Sequence, residues 1–188
     1  AVFSKRGIFF ALAPMALSFL VLLARKARMG PEDFFQQIFA PLYLSSMGVL
    51  VPLYFAARAL GEEIEGRTLV YLFTRPRPRG EILLAKYLAA VAASVLCLLP
   101  GVILAGALLP GVGWREILPS CLALLGALAA GSLTYGAFFL LPGILLKRPI
   151  LFGLVFAFVW ENLVSYLPGS LKDLTLMGYL RSILIRAY

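Results

Sequence analysis

The sequence has no histidine, and only two of its 188 residues are cysteine. The first absence excludes a histidine base and a histidine-bound metal. Cys97 and Cys121 stand apart, each inside an apolar run, so neither a disulfide framework nor a metal-ligand spacing is present. No stretch of the form G-x-x-x-x-G-K-[S/T] occurs, so the chain has no phosphate-cradling loop of that kind. No nucleophile–base pair is visible either; no catalytic residue, no metal site and no directly bound cofactor are expected. Charge is scarce as well. Asp, Glu, Lys and Arg make up 14% of the chain, against about 25% in soluble domains. There is no internal repeat and no low-complexity segment.

What fills the chain instead is apolar. Hydrophobic residues are 62% and the mean hydropathy is +0.95. They fall in five runs: Gly7–Ala24, Phe34–Ala57, Ile82–Leu109, Ile117–Leu146 and Ile150–Leu167. A helix rises about 1.5 Å per residue, so about 20 apolar residues cross a bilayer. Each run is near or above that length. The expected fold is all-α, a polytopic transmembrane helix bundle with five full spans visible, forming a single membrane domain over residues 1–188. Ser4-Lys5-Arg6 before the first run resembles the charged start of a signal peptide, but four further runs favour a span. The chain begins with Ala1 rather than Met and stops soon after a half-polar segment, so both ends are expected to be cut.

The formal net charge is +8. In a soluble protein this would suggest nucleic acid. Here the basic residues lie between spans, where they set orientation and touch anionic membrane lipids; nucleic acid is not an expected partner. If all five runs cross, Lys5, Arg6, the Arg58–Lys86 segment, Lys147 and Arg148 share one side, with ten of the seventeen basic residues. The positive-inside bias places that side, and the loop at 59–81, in the cytoplasm. Arg25, Lys26 and Arg28 on the other side argue against it. Pro31 suits a first helical turn, and Glu32 and Asp33 after it suit the positive end of the helix dipole. Pro14, Pro41, Pro52, Pro100 and Pro142 fall within runs and predict bends. Small residues crowd the third and fourth runs, from Ala89 to Gly106 and from Gly126 to Gly131, and predict close helix contact.

The polar segment after the second run is the most informative. It carries Glu62, Glu63 and Glu65 first and Arg75, Arg77 and Arg79 last. Between them Leu69, Leu72 and Phe73 share the i, i+3, i+4 spacing of one helical face. Thr68 can cap that turn and Pro76 ends it. The pattern predicts a short surface helix. Two readings follow from it: a loop with arginines on lipid phosphate, or a docking surface for a soluble partner.

Gly61–Lys86, reading GEEIEGRTLVYLFTRPRPRGEILLAK, resembles the signature of type-2 ABC-transporter permeases. In that family an acidic pair precedes a Gly/Thr-Leu turn, and a Thr-Arg-Pro leads to Arg, Glu and Lys entering the third span. The resemblance extends loosely along the chain to Trp160-Glu161. It implies six spans, of which this chain shows five, and a cytoplasmic coupling helix touching a separate ABC ATPase subunit. It also implies a second permease subunit, identical or related. On this resemblance Glu62, Glu63, Glu65, Thr68, Leu69, Leu72, Phe73, Arg75 and Arg79 are the expected docking and loop-shaping residues. ATP would then sit on the partner subunit, the protein would export a cargo, and its place would be a bacterial or archaeal cell membrane.

Glu161 is the one acidic residue well inside an apolar run. It lies about 18 Å from the inner start of its span. A carboxylate there must face protein, water or a partner; it marks either a translocation path or gate, or the water interface. After Pro168-Gly169, Ser170 and Asp173 resemble a helix-starting box. Leu174, Met177, Leu180, Ile183 and Leu184 then keep helical spacing, which predicts an outer interfacial helix. The rival to transport is a membrane scaffold or assembly factor that docks a soluble partner and moves nothing. A lipid-modifying enzyme ranks last, for want of polar clusters at the span ends.

Overall fold

The computed structural model describes residues 5–26, 30–65, 79–146, 149–156 and 159. Among them every regular element is helical: α1 Lys5–Ser18, continued as a 3₁₀ segment Phe19–Lys26; α2 Pro31–Phe34, continued as a π-helical turn Phe35–Phe39; α3 Ala40–Glu65; α4 Arg79–Leu108; α5 Trp114–Leu145; and α6 Pro149–Val155.

Three helical stretches are long and apolar enough to cross a membrane: Pro31–Ala59, Gly80–Leu108 and Trp114–Gly143. At 29 to 30 residues each measures about 44 Å, more than the roughly 30 Å of hydrocarbon, so they tilt or project beyond it. In the first run the described apolar helix is the shorter stretch Leu12–Leu22. Pro14 lies inside α1, where it withdraws a donor from the ladder, and α1 gives way to 3₁₀ winding at Phe19. The fifth run is described as helix over Pro149–Val155.

The helix starts and stops follow from local chemistry. Gly30 caps α2 with extended backbone (φ −59°, ψ 149°) and Pro31 opens it. Phe34 N–H then reaches the Gly30 carbonyl at 2.9 Å. The π-turn that follows has a visible cause. Pro41 cannot donate, and its ring crowds the carbonyl four residues back. Widening the turn ahead of it relieves that contact, and Ala40 N–H bonds Phe35 O, five residues back, instead. Pro110 and Gly111 form the turn between α4 and α5, with Gly111 at φ 81°, a position that favours glycine. At the start of α5 the Glu116 carboxylate accepts the Gly113 N–H at 3.2 Å, the return half of a capping box.

α3 is the most enclosed of the three long helices. It packs on α5, α4, α1 and α6. Its apolar residues Tyr43, Leu44, Val49, Val51, Leu53 and Ala56 join Leu98, Val102 and Ala105 of α4 and Leu124, Leu128, Tyr135 and Phe139 of α5 in one core. Aromatic rings line this core. Phe35, Phe39 and Tyr43 stack up one face with centroids 5.2 and 5.3 Å apart. Phe156 of the last described turn meets Phe138 at 4.6 Å and Phe139 at 6.2 Å.

Small residues do what their density predicts, at particular points. A Cβ on Gly106 would stand 2.8 Å from Cys121 Sγ and 3.1 Å from the Trp114 ring, and one on Gly136 3.3 Å from Val91. These glycines let α4 and α5 approach. Gly126 has nothing within 4 Å and faces outward.

Candidate functional site

The expected docking segment is framed by two of the spans. α3 runs through Glu65, so Glu62, Glu63 and Glu65 occupy its closing turns, and Arg79 opens α4. Thr68, Leu69, Leu72, Phe73 and Arg75, and the predicted short helix they would form, lie outside the described residues, as does Glu161. The outer interfacial helix expected after Gly169 lies outside them too.

The frame has unequal sides. About two to three turns before its end, α3 is held: Leu53 packs so closely on Gly153 of α6 that a Cβ there would overlap it, and a Cβ on Gly143 of α5 would stand 3.6 Å from the Ala56 carbonyl oxygen. One turn on, Arg58 Nη1 donates to the Tyr54 hydroxyl at 2.8 Å with its guanidinium 5.5 Å from that ring's centre. The following carboxylates, Glu62, Glu63 and Glu65, come where the helix dipole is negative and acidic residues are disfavoured. That arrangement concentrates negative charge at the entry to segment 66–78.

The first turns of α4 are largely exposed. Gly80, Glu81, Leu83, Leu84, Ala85, Leu88 and Ala89 are exposed, and from Gly80 onward Ala90 is the first buried residue. A hydrogen bond crosses to α5 here, from the Tyr87 hydroxyl to Leu133 O at 2.8 Å. Beside it runs an apolar groove of about 380 Å³, lined by Gly80, Leu83, Leu84, Tyr87, Ala137 and Leu140.

Further along the same helices lies a polar crossing that the sequence did not announce. The Tyr43 hydroxyl, fully buried, donates to Leu98 O at 2.9 Å. Ser18 Oγ lies 2.6 Å from Gly101 O and 2.9 Å from Pro14 O, so its single proton serves one of the two carbonyls at a time. A Cβ at Gly101 would overlap the Tyr43 hydroxyl and come within 2.8 Å of Pro14 O. Three helices, α1, α3 and α4, thus meet at one point, where prolines 14 and 100 interrupt the ladders of two of them. The hints in the sequence are the Pro100-Gly101 pair and a tyrosine just after Pro41. Neither says that they converge. Further out, Gln36 Nε2 donates to Ser120 Oγ at 3.1 Å, joining the π-turn to α5.

None of this is catalytic geometry. Among the described residues no three His, Cys, Asp or Glu gather to hold a metal; the hydroxyls of Ser18, Tyr43 and Ser94 go to backbone carbonyls, Ser120 Oγ accepts from Gln36, and Ser132 has no hydrogen-bond partner among the described residues. The arrangement defines a polytopic α-helical membrane protein whose polar contacts join helices. Residues 4–162 match the family model described as ABC-2 family transporter protein. The chain belongs to that family: it is an integral membrane protein, the permease type of ABC-transporter component. No curated protein and no solved structure matches it.

Proposed function

We propose that this chain is the membrane-spanning subunit of an ATP-driven exporter, moved by a separate ATPase that docks on residues 61–81. The observation that carries the reading is the frame itself. Two long membrane helices end at Glu65 and begin at Arg79, so a protein seated on the thirteen residues between them would act on both spans directly. Family membership supports the transport role, and the carboxylates at the end of α3 present a charge that a basic partner surface would relieve. In this reading Leu69, Leu72 and Phe73 form the docking face of a coupling helix. Glu62, Glu63, Glu65, Thr68, Arg75 and Arg79 shape and charge its margins. Segment 59–81 is cytoplasmic, the cell membrane is bacterial or archaeal, and the bundle of residues 1–188 has five of six spans.

The pore forms between two such subunits, identical or related, embedded in membrane lipid. ATP is bound and hydrolysed by the partner. ATP-driven closure of two ATPases tilts α3 and α4, and Glu161 lies on the path or its gate. The test is replacement of Leu69, Leu72 and Phe73 together by serine in the protein co-expressed with its ATPase. Loss of co-purification with unchanged chromatographic behaviour of the permease is expected. Intact assembly and transport after that change refute the assignment. ATPase stimulation by cargo in liposomes separates an exporter from a scaffold that merely docks the same partner.

A further inference from the structure

We infer that α4 and α5 have a second register, in which Ser132 donates a hydrogen bond to Ser94 Oγ and the Tyr87–Leu133 bond is given up. Both serines lie on the contact line of these antiparallel helices. Tyr87, Val91 and Ser94 follow the i, i+4, i+7 line of one face of α4. Gly136 of α5 meets that line: a Cβ there would stand 3.3 Å from Val91 and 3.5 Å from the Tyr87 ring. α4 runs from Arg79 to Leu108 and α5 returns from Trp114, so one turn forward on α4 faces one turn back on α5. Ser94 comes one turn after Val91, and Ser132 one turn before Gly136. Both are buried, at 1% and 0% exposure.

The two hydroxyls are used differently. Ser94 Oγ donates to Ala90 O at 2.7 Å, which leaves its lone pairs able to accept. Thr134 and Ser46 likewise give their protons to the carbonyl four residues back. Ser132 bonds neither Leu128 O nor any other described group. A buried donor without a partner is destabilising, so the present register carries a cost that a small shift would remove. Opposing that shift is the bond from the Tyr87 hydroxyl to Leu133 O, one residue from Ser132. Gly136 has no side chain to obstruct Val91 and Tyr87 as they move, and helix shifts of about 1–2 Å are common steps between states. In the second register the Ser132 O–H donates, and Ser94 Oγ accepts while still donating to Ala90 O. Tyr87, half-buried, turns its hydroxyl towards the membrane interface. That this slide belongs to the export stroke rests on the exporter reading above; the two registers do not.

Pulsed electron-spin distance measurement reads the register in the permease alone. Spin labels go on Leu88→Cys of α4 and Leu118→Cys of α5, both exposed, with Cys97 and Cys121 replaced by alanine and the labelled protein diluted into unlabelled. Two distances about 1–2 Å apart are expected. Tyr87→Phe removes the bond of the present register and is expected to raise the weight of the second distance at least about threefold, the effect of one interhelical hydrogen bond in a membrane. Ser132→Ala is expected to lower that weight by a similar factor. Ser94→Ala should do the same, also where Ser132→Ala does not fold, and the double serine variant should add nothing further. Opposite shifts are the signature, because a general loosening of the helix pair moves the weight one way in every variant. Distances that neither serine variant alters, or a shift in the same direction for Tyr87→Phe and Ser132→Ala, overturn the proposal. Export is measured separately, in liposomes with the ATPase, where Ser132→Ala is expected to be at least about threefold slower. Unchanged export in that variant overturns the link between the slide and the stroke. Distances that behave as expected in a wild type that moves no cargo refute the exporter reading alone.

Discussion

Gly101→Ala is the smallest change that probes the three-helix crossing. The added methyl would overlap the Tyr43 hydroxyl and stand 2.8 Å from Pro14 O and 3.0 Å from Pro14 C. The tyrosine can swing its end aside, but the α1 backbone can yield only by moving the helix. Overpacking of this kind costs about 1–3 kcal/mol. Better helix propensity returns up to about 1 kcal/mol, though less where the unfolded reference is still helical in the membrane. The net expectation is a loss of about 1–2 kcal/mol. Tyr43→Phe removes the 2.9 Å bond to Leu98 O and should cost about 0.6–1.7 kcal/mol, the range of interhelical hydrogen bonds in membranes. The double variant carries the argument. Deleting the hydroxyl also deletes one of the atoms that the new methyl strikes, so the pair should cost at least about 0.5 kcal/mol less than the sum of the single changes. The remainder is the clash with Pro14. Reversible unfolding in mixed micelles, followed by fluorescence across a denaturing-detergent titration, gives the three differences. Additive costs, or a Gly101→Ala protein as stable as wild type, would mean that α1 and α4 do not meet at this glycine.

Three further outcomes use the same preparations. Gly126→Ala meets open space and should be neutral or gain up to about 1 kcal/mol of helix propensity; a loss would show an unseen neighbour at that face. Ser132 is fully buried and its hydroxyl has no partner, so Ser132→Ala should stabilise the bundle by up to about 1 kcal/mol by removing an unpaid desolvation; marked destabilisation would reveal a bond to a group beyond those described. Glu161→Gln is expected to slow export while leaving assembly with the ATPase intact, and full transport with unchanged cargo preference would take Glu161 off the path.

What the sequence could reveal was one-dimensional. Run length and composition were enough for α3, α4 and α5, because a helix that satisfies its own backbone is the economical way through hydrocarbon. Gly30-Pro31 located a helix start, since it depends on a φ preference belonging to the residue itself. The order of charges in 61–86 led to the family that the match over residues 4–162 bears out. The misses are contacts made at long range. Tyr43 lies 55 residues from Leu98 and Ser18 lies 83 from Gly101, and no local pattern marks either pair. Pro41 was expected to bend a helix; the π-turn just ahead of it was not foreseen. Pro119 escaped attention because it falls at the edge of a run, yet it lies inside α5. The densely small third and fourth runs predict close helix contact, and it is found at Gly106 and Gly136 but not at Gly126. Composition counts small residues but does not say which way each one faces.

The uneven fastening of α3 and α4 bears on how motion could enter such a bundle. Both helices are tied together by Tyr43 and Leu98 at a point about 33 Å along α3 from Glu65, taking 22 residues at 1.5 Å each. Between Leu53 and Ala57 α3 is packed beside Gly153 and Gly143, and α4 from residues 80 to 89 has no fully buried side chain. A force applied between Glu65 and Arg79 therefore meets unequal resistance. Displacing α3 must disturb the packing of Leu53 on Gly153 and of Ala56–Ala57 beside Gly143, whereas the described contacts of the first three turns of α4 include the Tyr87–Leu133 bond and the walls of one groove. The compliant member is the entry to the third span. A change that stiffens it, by filling the groove or strengthening the grip of Tyr87 on α5, should oppose the stroke more than an equal gain in stability elsewhere in the core.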